Sequence, residues 1–228
     1  MEEILRFDRD TTLAINGSDS VFWDNLMYVI THTESWTIVI IAILVIVFKN
    51  KSVKEGLIIF LCIGLMIFLA DRLCSGVVKP LVARWRPTQD PQIMYMLDVV
   101  RGYRGGRFGF FSGHATNTFC MAMFFSLLFR YWKITLVMFL WAASTTFTRL
   151  YLGVHYFGDI VVGICVGCLF GVAFYKLMDY LTRNFDNRLI SEQFTSSGYL
   201  KSDMNFLLSV IFFNYICLVI VSLTLGIE

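Results

Sequence analysis

Arg149, His155 and Asp159 are three ionisable residues set at short intervals in an otherwise apolar stretch. If a helix begins near Tyr156, His155 and Asp159 share one face, where the carboxylate can accept a hydrogen bond from one ring nitrogen. The other nitrogen is then free to attack, which is the arrangement of an activated imidazole nucleophile. Two further motifs supply what such a nucleophile needs. Lys79 precedes the pair Arg86-Pro87 with six residues between Lys and Arg, and Ser112-Gly113-His114 precedes an apolar run. Lys79, Arg86 and Arg149 offer three fixed positive charges, which suits an oxyanion with several equivalent oxygens. Ser112 and the Gly113 amide, at a helix N-terminus, add donors and the favourable end of a helix dipole. Such a cradle describes a phosphate site.

The elements that must position these groups are membrane helices. Of the 228 residues, 57% are hydrophobic and 16% charged, with a mean hydropathy of +0.67; soluble domains have about 45–50% apolar residues. The expected fold is all-α, an integral membrane helical bundle of about six transmembrane helices with interfacial N-terminal helices, forming one membrane-embedded domain. Residues 1–35 are acidic with apolar punctuation and read as an interfacial segment, in which His32 is a polar interfacial residue outside the site. Residues 36–179 read as the catalytic core, 180–205 as a polar connector and 206–228 as an extra C-terminal span. The predicted spans are 36–48, 56–78, 115–129, 134–147, 160–177 and 206–225. Asp71 and Arg72 interrupt the second span and are expected to pair and face the bundle. Gly163, Gly167 and Gly171 repeat every four residues, which lets a neighbouring helix approach closely. With this parity Lys79, His114, Arg149 and His155 all fall at helix ends on one membrane face.

These motifs resemble the type 2 phosphatidic acid phosphatase family, the lipid phosphatases that share an active site with the vanadium haloperoxidases. The resemblance covers about residues 36–179. Phe111 stands where the family usually has Pro and Thr148 where it usually has Ser; neither position supplies a catalytic group, so an altered loop shape is expected. The resemblance implies that His155 is the nucleophile and forms a phosphohistidine, with Asp159 orienting it. It implies that His114 protonates the leaving oxygen and then takes a proton from the hydrolytic water. Lys79, Arg86, Ser112, Gly113 and Arg149 would hold the phosphoryl oxygens. No metal or other cofactor is required.

Other readings compete with this one. A His and an Asp four apart also suit a metal, but three cations beside them would repel a divalent ion. Lys79, Arg84 and Arg86 standing alone would read as snorkelling anchors. Arg101, Arg104 and Arg107 match no family motif and read as a surface near anionic headgroups, or as contacts to a second phosphate. A transporter would distribute its charges through the bilayer depth, whereas these cluster at helix ends. A vanadate-dependent peroxidase is expected to be soluble. A phosphotransferase would pass the phosphoryl group from the same histidine to another lipid.

The net charge of +2 gives no reason for a nucleic-acid partner. The partners implied are a membrane lipid phosphate substrate and the bilayer itself; oligomeric state is not encoded legibly. The six cysteines lie in apolar runs and read as packing, Cys165 and Cys168 included. Residues 1–16 carry Glu2, Glu3, Arg6, Asp8, Arg9 and Asp10 and lack an apolar core, so no cleavable signal peptide is expected. A short acidic tail translocates readily, which places the site and both termini outside the cytoplasm, on the periplasmic face of a Gram-negative inner membrane. On that side undecaprenyl diphosphate and a lipid A phosphate are the leading substrates, with phosphatidylglycerol phosphate and phosphatidic acid also compatible. The loop 88–111 is where the choice should reside.

Overall fold

The computed structural model describes residues 2–185 and 191–225, and among these the regular structure is entirely helical. Two N-terminal helices, α1 (Glu2–Ile15) and α2 (Val21–Thr31), precede the long apolar elements. These are α3 (Thr37–Asn50) and α4 (Val53–Asp71), the latter continuing through a π-helical stretch, Arg72–Val78, into a last turn, α5 (Lys79–Val82). After the long loop come α6 (Gly113–Phe129), α7 (Trp132–Tyr151), α8 (Phe157–Thr182) and α9 (Lys201–Thr224). The connector predicted over 180–205 is shorter than expected, because α8 runs on to Thr182 and α9 already begins at Lys201.

Local sequence explains several boundaries. Ser52 and Glu55 form a reciprocal capping box that starts α4 immediately after Lys51. Ser112 caps α6 by accepting from the Ala115 amide at 3.3 Å. Ala83 adopts a left-handed conformation with φ of 49° and ends α5.

Four helical stretches are long and apolar enough by length and composition to cross a membrane: Thr33–Asn50, Val53–Val82, Phe157–Phe185 and Lys201–Thr224. Their outer surfaces carry exposed Ile41, Leu61, Leu169 and Phe212, as a lipid-facing surface should. α6 and α7, the other two predicted spans, do not meet that measure. α6 has only 17 residues and none of them is exposed. It lies at the centre of the bundle, enclosed by α4, α7 and α8, so it needs no continuous lipid-facing stripe. Asp71 and Arg72 do not pair. Neighbours on a helix point roughly 100° apart, and both are exposed, Asp71 accepting from Ser75 Oγ at 3.1 Å and Arg72 lying over the Phe68 ring.

The glycine ladder lets two helix backbones approach closely. A Cβ at Gly163 would lie 2.7 Å from the Ser112 carbonyl oxygen, at Gly167 2.5 Å from that of Thr116, and at Gly171 2.7 Å from that of Cys120. α8 therefore lies directly on the α6 backbone, and the two chemistry-bearing helix starts, Ser112 to His114 and His155 to Asp159, are held in fixed register. Gly167→Ala is expected to lower stability by about 1–3 kcal/mol, read as a lower thermal unfolding midpoint in detergent. Gly64→Ala, where an added methyl meets nothing within 4 Å, serves as the neutral comparison.

Candidate active site

The turn between α7 and α8 presents His155 as a buried residue, 1% exposed. Its Nδ1 faces Asp159 Oδ2 at 3.4 Å and its Nε2 faces Arg86 Nη1 at 3.3 Å. A guanidinium can only donate and a carboxylate can only accept. The neighbours thus select the tautomer with hydrogen on Nδ1 and the lone pair on Nε2, aimed at Arg86. Burial first, then the charges of Arg86, Arg149 and Lys79, hold this imidazole well below the ordinary histidine value of 6.5. It is neutral, and hence nucleophilic, at neutral pH.

The predicted cations converge on the same place. Arg86 also donates from Nη1 to Val154 O and from Nε to Phe108 O, both at 3.2 Å, so its guanidinium is locked by backbone. Arg149, in the last turn of α7 and 2% exposed, donates from Nη1 to Thr31 Oγ1 and from Nη2 to Tyr103 Oη at 3.0 Å. Its Nε is buried without a hydrogen-bond partner. Lys79 approaches the start of α6: a Cβ on Gly113 would lie 3.9 Å from Lys79 Nζ. Ser112 is fully buried, and its amide donates to the Asp159 carbonyl at 3.0 Å, joining the two helix starts. His114 follows in the first turn of α6, where burial first, then the charges of Arg149 and His155, push its imidazole from 6.5 down to about 3 against a hydrogen bond to the Thr31 backbone. All eight predicted residues therefore lie around one centre.

Several residues at this centre lie outside the eight predicted for the site. Arg84, within the Lys79 to Arg86 motif, donates from Nη1 to Asp159 Oδ1 at 2.8 Å and stacks over the Tyr156 ring at 4.1 Å. Its Nη2 donates to Asp8 Oδ2 at 2.5 Å. Asp8 also accepts from the Gly158 amide at 2.6 Å, and Thr12 Oγ1 accepts from the Phe157 amide at 3.1 Å. α1 thus satisfies the first amides of α8 and, through Arg84, holds the carboxylate that orients His155. Gly109 is a close-approach position, where any Cβ would lie 2.9 Å from Asp159 Oδ2. Arg101 and Arg104 tie down the loop, donating to Asn25 Oδ1 and to Thr88 O respectively, and Arg107 stacks over the rings of Trp85 and Phe108.

Two expectations follow. Asp8→Asn should lower kcat by about 10- to 100-fold with KM little changed, since it loosens a positioning carboxylate and touches no phosphate ligand. With His155 held well below 6.5 and burial raising Asp159 to about 6, the acid limb of kcat/KM should fall near pH 6, where the orienting carboxylate protonates; a limb at 6.5 or above would contradict a depressed imidazole.

Comparison with known proteins agrees with this geometry. The sequence profile of the PAP2 superfamily matches residues 55–183, which contain every predicted site residue. A lipid A 4'-phosphatase of Porphyromonas gingivalis is 38% identical over 180 residues, 79% of this chain and 76% of the relative. One of Bacteroides thetaiotaomicron is 39% identical over 183 residues, 80% of this chain and 81% of the relative. No solved structure matches the chain. With a matching profile over more than half its length and relatives this similar, the chain belongs to the PAP2 superfamily, the type 2 phosphatidic acid phosphatases.

Proposed function

We propose that the protein is a multi-pass bacterial membrane phosphatase that hydrolyses a phosphate monoester on a lipid A headgroup through a phosphohistidine on His155. The observation that carries the reading is the neutral His155 Nε2 set against Arg86, with the buried, unpartnered Nε of Arg149 at the same centre. Charge supports it as well. Around His155 stand four cations, Lys79, Arg84, Arg86 and Arg149, and two carboxylates, Asp8 and Asp159. The excess of two positive charges matches a phosphate monoester, which carries about −1.5 to −2 at neutral pH.

In the first step His155 Nε2 attacks phosphorus, the bond from phosphorus to the lipid oxygen breaks, and His114, which the bound phosphate dianion allows to take up a proton by offsetting the cations that depress it, gives that proton to the oxygen. Asp159 stabilises the imidazolium that forms on Nδ1. In the second step water attacks phosphorus, the bond from phosphorus to Nε2 breaks and returns the lone pair to His155, His114 takes the water proton, and inorganic phosphate leaves. Lys79, Arg86, Arg149, the Ser112 hydroxyl and the Gly113 amide hold the equatorial oxygens throughout. Lipid A phosphate ranks ahead of undecaprenyl diphosphate because both relatives carry the lipid A activity in their names. The site belongs on the periplasmic face of the inner membrane, because the acidic N-terminal segment translocates readily.

Purified protein in detergent with chelator present should release inorganic phosphate from lipid A in preference to undecaprenyl diphosphate, phosphatidylglycerol phosphate and phosphatidic acid. His155→Ala should abolish release, by about a thousand-fold or more. Wild-type rates in His155→Ala would overturn the mechanism. Phosphorylated lipid product in place of free phosphate would mark a phosphotransferase.

A further inference from the structure

One aromatic residue of the loop before α6 reaches the same centre. Tyr103 follows the single turn Val100–Gly102, and its amide donates to Val100 O at 2.9 Å. Its ring rests on the cluster of Met27, Tyr151, Leu152 and Val154 and meets Tyr28 edge-on, with ring centroids 6.3 Å apart. Val154 is the residue immediately before His155. From this seat the ring also faces Arg149, whose Cζ stands 5.3 Å from its centroid. Two residues on, Gly105 adopts a φ of 67°, and a Cβ there would lie 2.8 Å from Arg86 Nη1. That nitrogen is the one facing His155 Nε2 at 3.3 Å. The segment 103–105 therefore packs against both guanidinium groups of the phosphate cradle.

Most donors at this centre are already engaged. Arg86 uses Nε and Nη1 on Phe108 O and Val154 O, and Arg149 uses Nη1 on Thr31 and Nη2 on Tyr103. In the last of these the phenol oxygen must accept, because a guanidinium has no lone pair to offer. A phenol also carries one hydrogen, and among the described residues that hydrogen has no acceptor. Tyr103 is only half-buried, so its hydroxyl is not sealed into the packing. It lies within electrostatic reach of Arg86 as well as Arg149. Hydroxyl dipoles orient in the local field. With its oxygen turned to two cations, the phenol leaves its hydrogen for an anion that the same two cations hold. A neutral donor suits the site. Another cation would repel Arg86 and Arg149 and depress His155 further, whereas a phenol adds a hydrogen bond without adding charge.

We infer that Tyr103 is a further catalytic residue, its hydroxyl accepting from Arg149 and donating to a non-bridging oxygen of the bound phosphate. The inference rests on the phosphatase reading and adds a contact to it. No proton is transferred; the phenol holds one phosphoryl oxygen in place alongside Arg86 and Arg149. Tyr103 belongs to the loop and not to any of the three motifs, so the cradle is complete only when the loop is seated over the helix starts.

The test is Tyr103→Phe in the full-length protein in detergent, which keeps the ring in its seat and removes only the hydroxyl. A hydrogen bond to a charged group predicts that kcat/KM for phosphate release from lipid A falls about 10- to 100-fold. The affinity for orthovanadate, a phosphate-shaped anion, should fall with it, read as the shift in thermal unfolding midpoint across a vanadate titration. Unchanged kcat/KM and vanadate affinity would overturn the inference. A double-mutant cycle separates contact with the anion from mere orientation of Arg149. In an Arg149→Lys background Tyr103→Phe should still weaken vanadate binding about fivefold or more. No further weakening there would overturn the phosphate contact and leave Tyr103 a positioning residue. Wild-type protein that binds vanadate but releases no phosphate from any lipid would overturn the phosphatase reading, and the vanadate cycle would still decide the anion contact. Should Tyr103→Phe fail to fold, fluorotyrosine at position 103 reports on the intact site. Saturating vanadate should move its fluorine resonance, and a resonance that stays in place overturns the inference.

Discussion

The carboxylate of Asp159 is the point on which the remaining structure depends. It sits in the first turn of α8, fully buried, in a bundle built almost entirely of apolar side chains. An isolated charge there would cost several kcal/mol or would be neutralised. It persists because each oxygen is held: Oδ1 by Arg84, Oδ2 by the Tyr156 amide at 3.1 Å and by the ring of His155. Its backbone carbonyl in turn accepts from the Ser112 amide. One residue thus orients the His155 ring, anchors the loop after α5 through Arg84 and ties the start of α6 to the start of α8.

The same accounting explains why the N-terminal helix lies where it does. The first amides of α8 need acceptors, and Tyr156 at the cap position makes no side-chain hydrogen bond to supply one. Asp8 and Thr12 supply them from α1. Asn16 extends the attachment by donating to Tyr151 O and Asp98 O. α2 contributes in a parallel way on the other side, since Thr31 at its end accepts from the Arg149 guanidinium and Tyr103 closes over that group from the loop. The amphipathic character of the N-terminal segment is real, and its polar side faces the site rather than water alone.

The apolar bundle is more than a scaffold for this cluster. Glycines on α8 bring its axis against the α6 backbone, which fixes the separation of the two helix starts without any polar contact. On the opposite side of α6 the packing is looser, and the space left between α6, α7 and the outer helices forms a cavity behind His114. Tight packing on one side of α6 and looser packing on the other give one central helix two different surroundings.

The sequence by itself determined the apolar membrane character, the helical class and the eight residues that the structure brings to one centre. Those properties are written in composition, in short spacings and in helix-start chemistry, all of which act over a turn or two of chain. The glycine ladder belongs with them, because a period of four can be read without knowing the partner helix. Tertiary structure alone decided that Asp71 and Arg72 face outward, that α6 is an enclosed helix of 17 residues, and that Arg84 bridges Asp8 to Asp159. Asp8 and Arg84 are 76 residues apart, and an aspartate on an exposed-looking acidic helix has no local mark that distinguishes it from its neighbours Asp10 and Glu3.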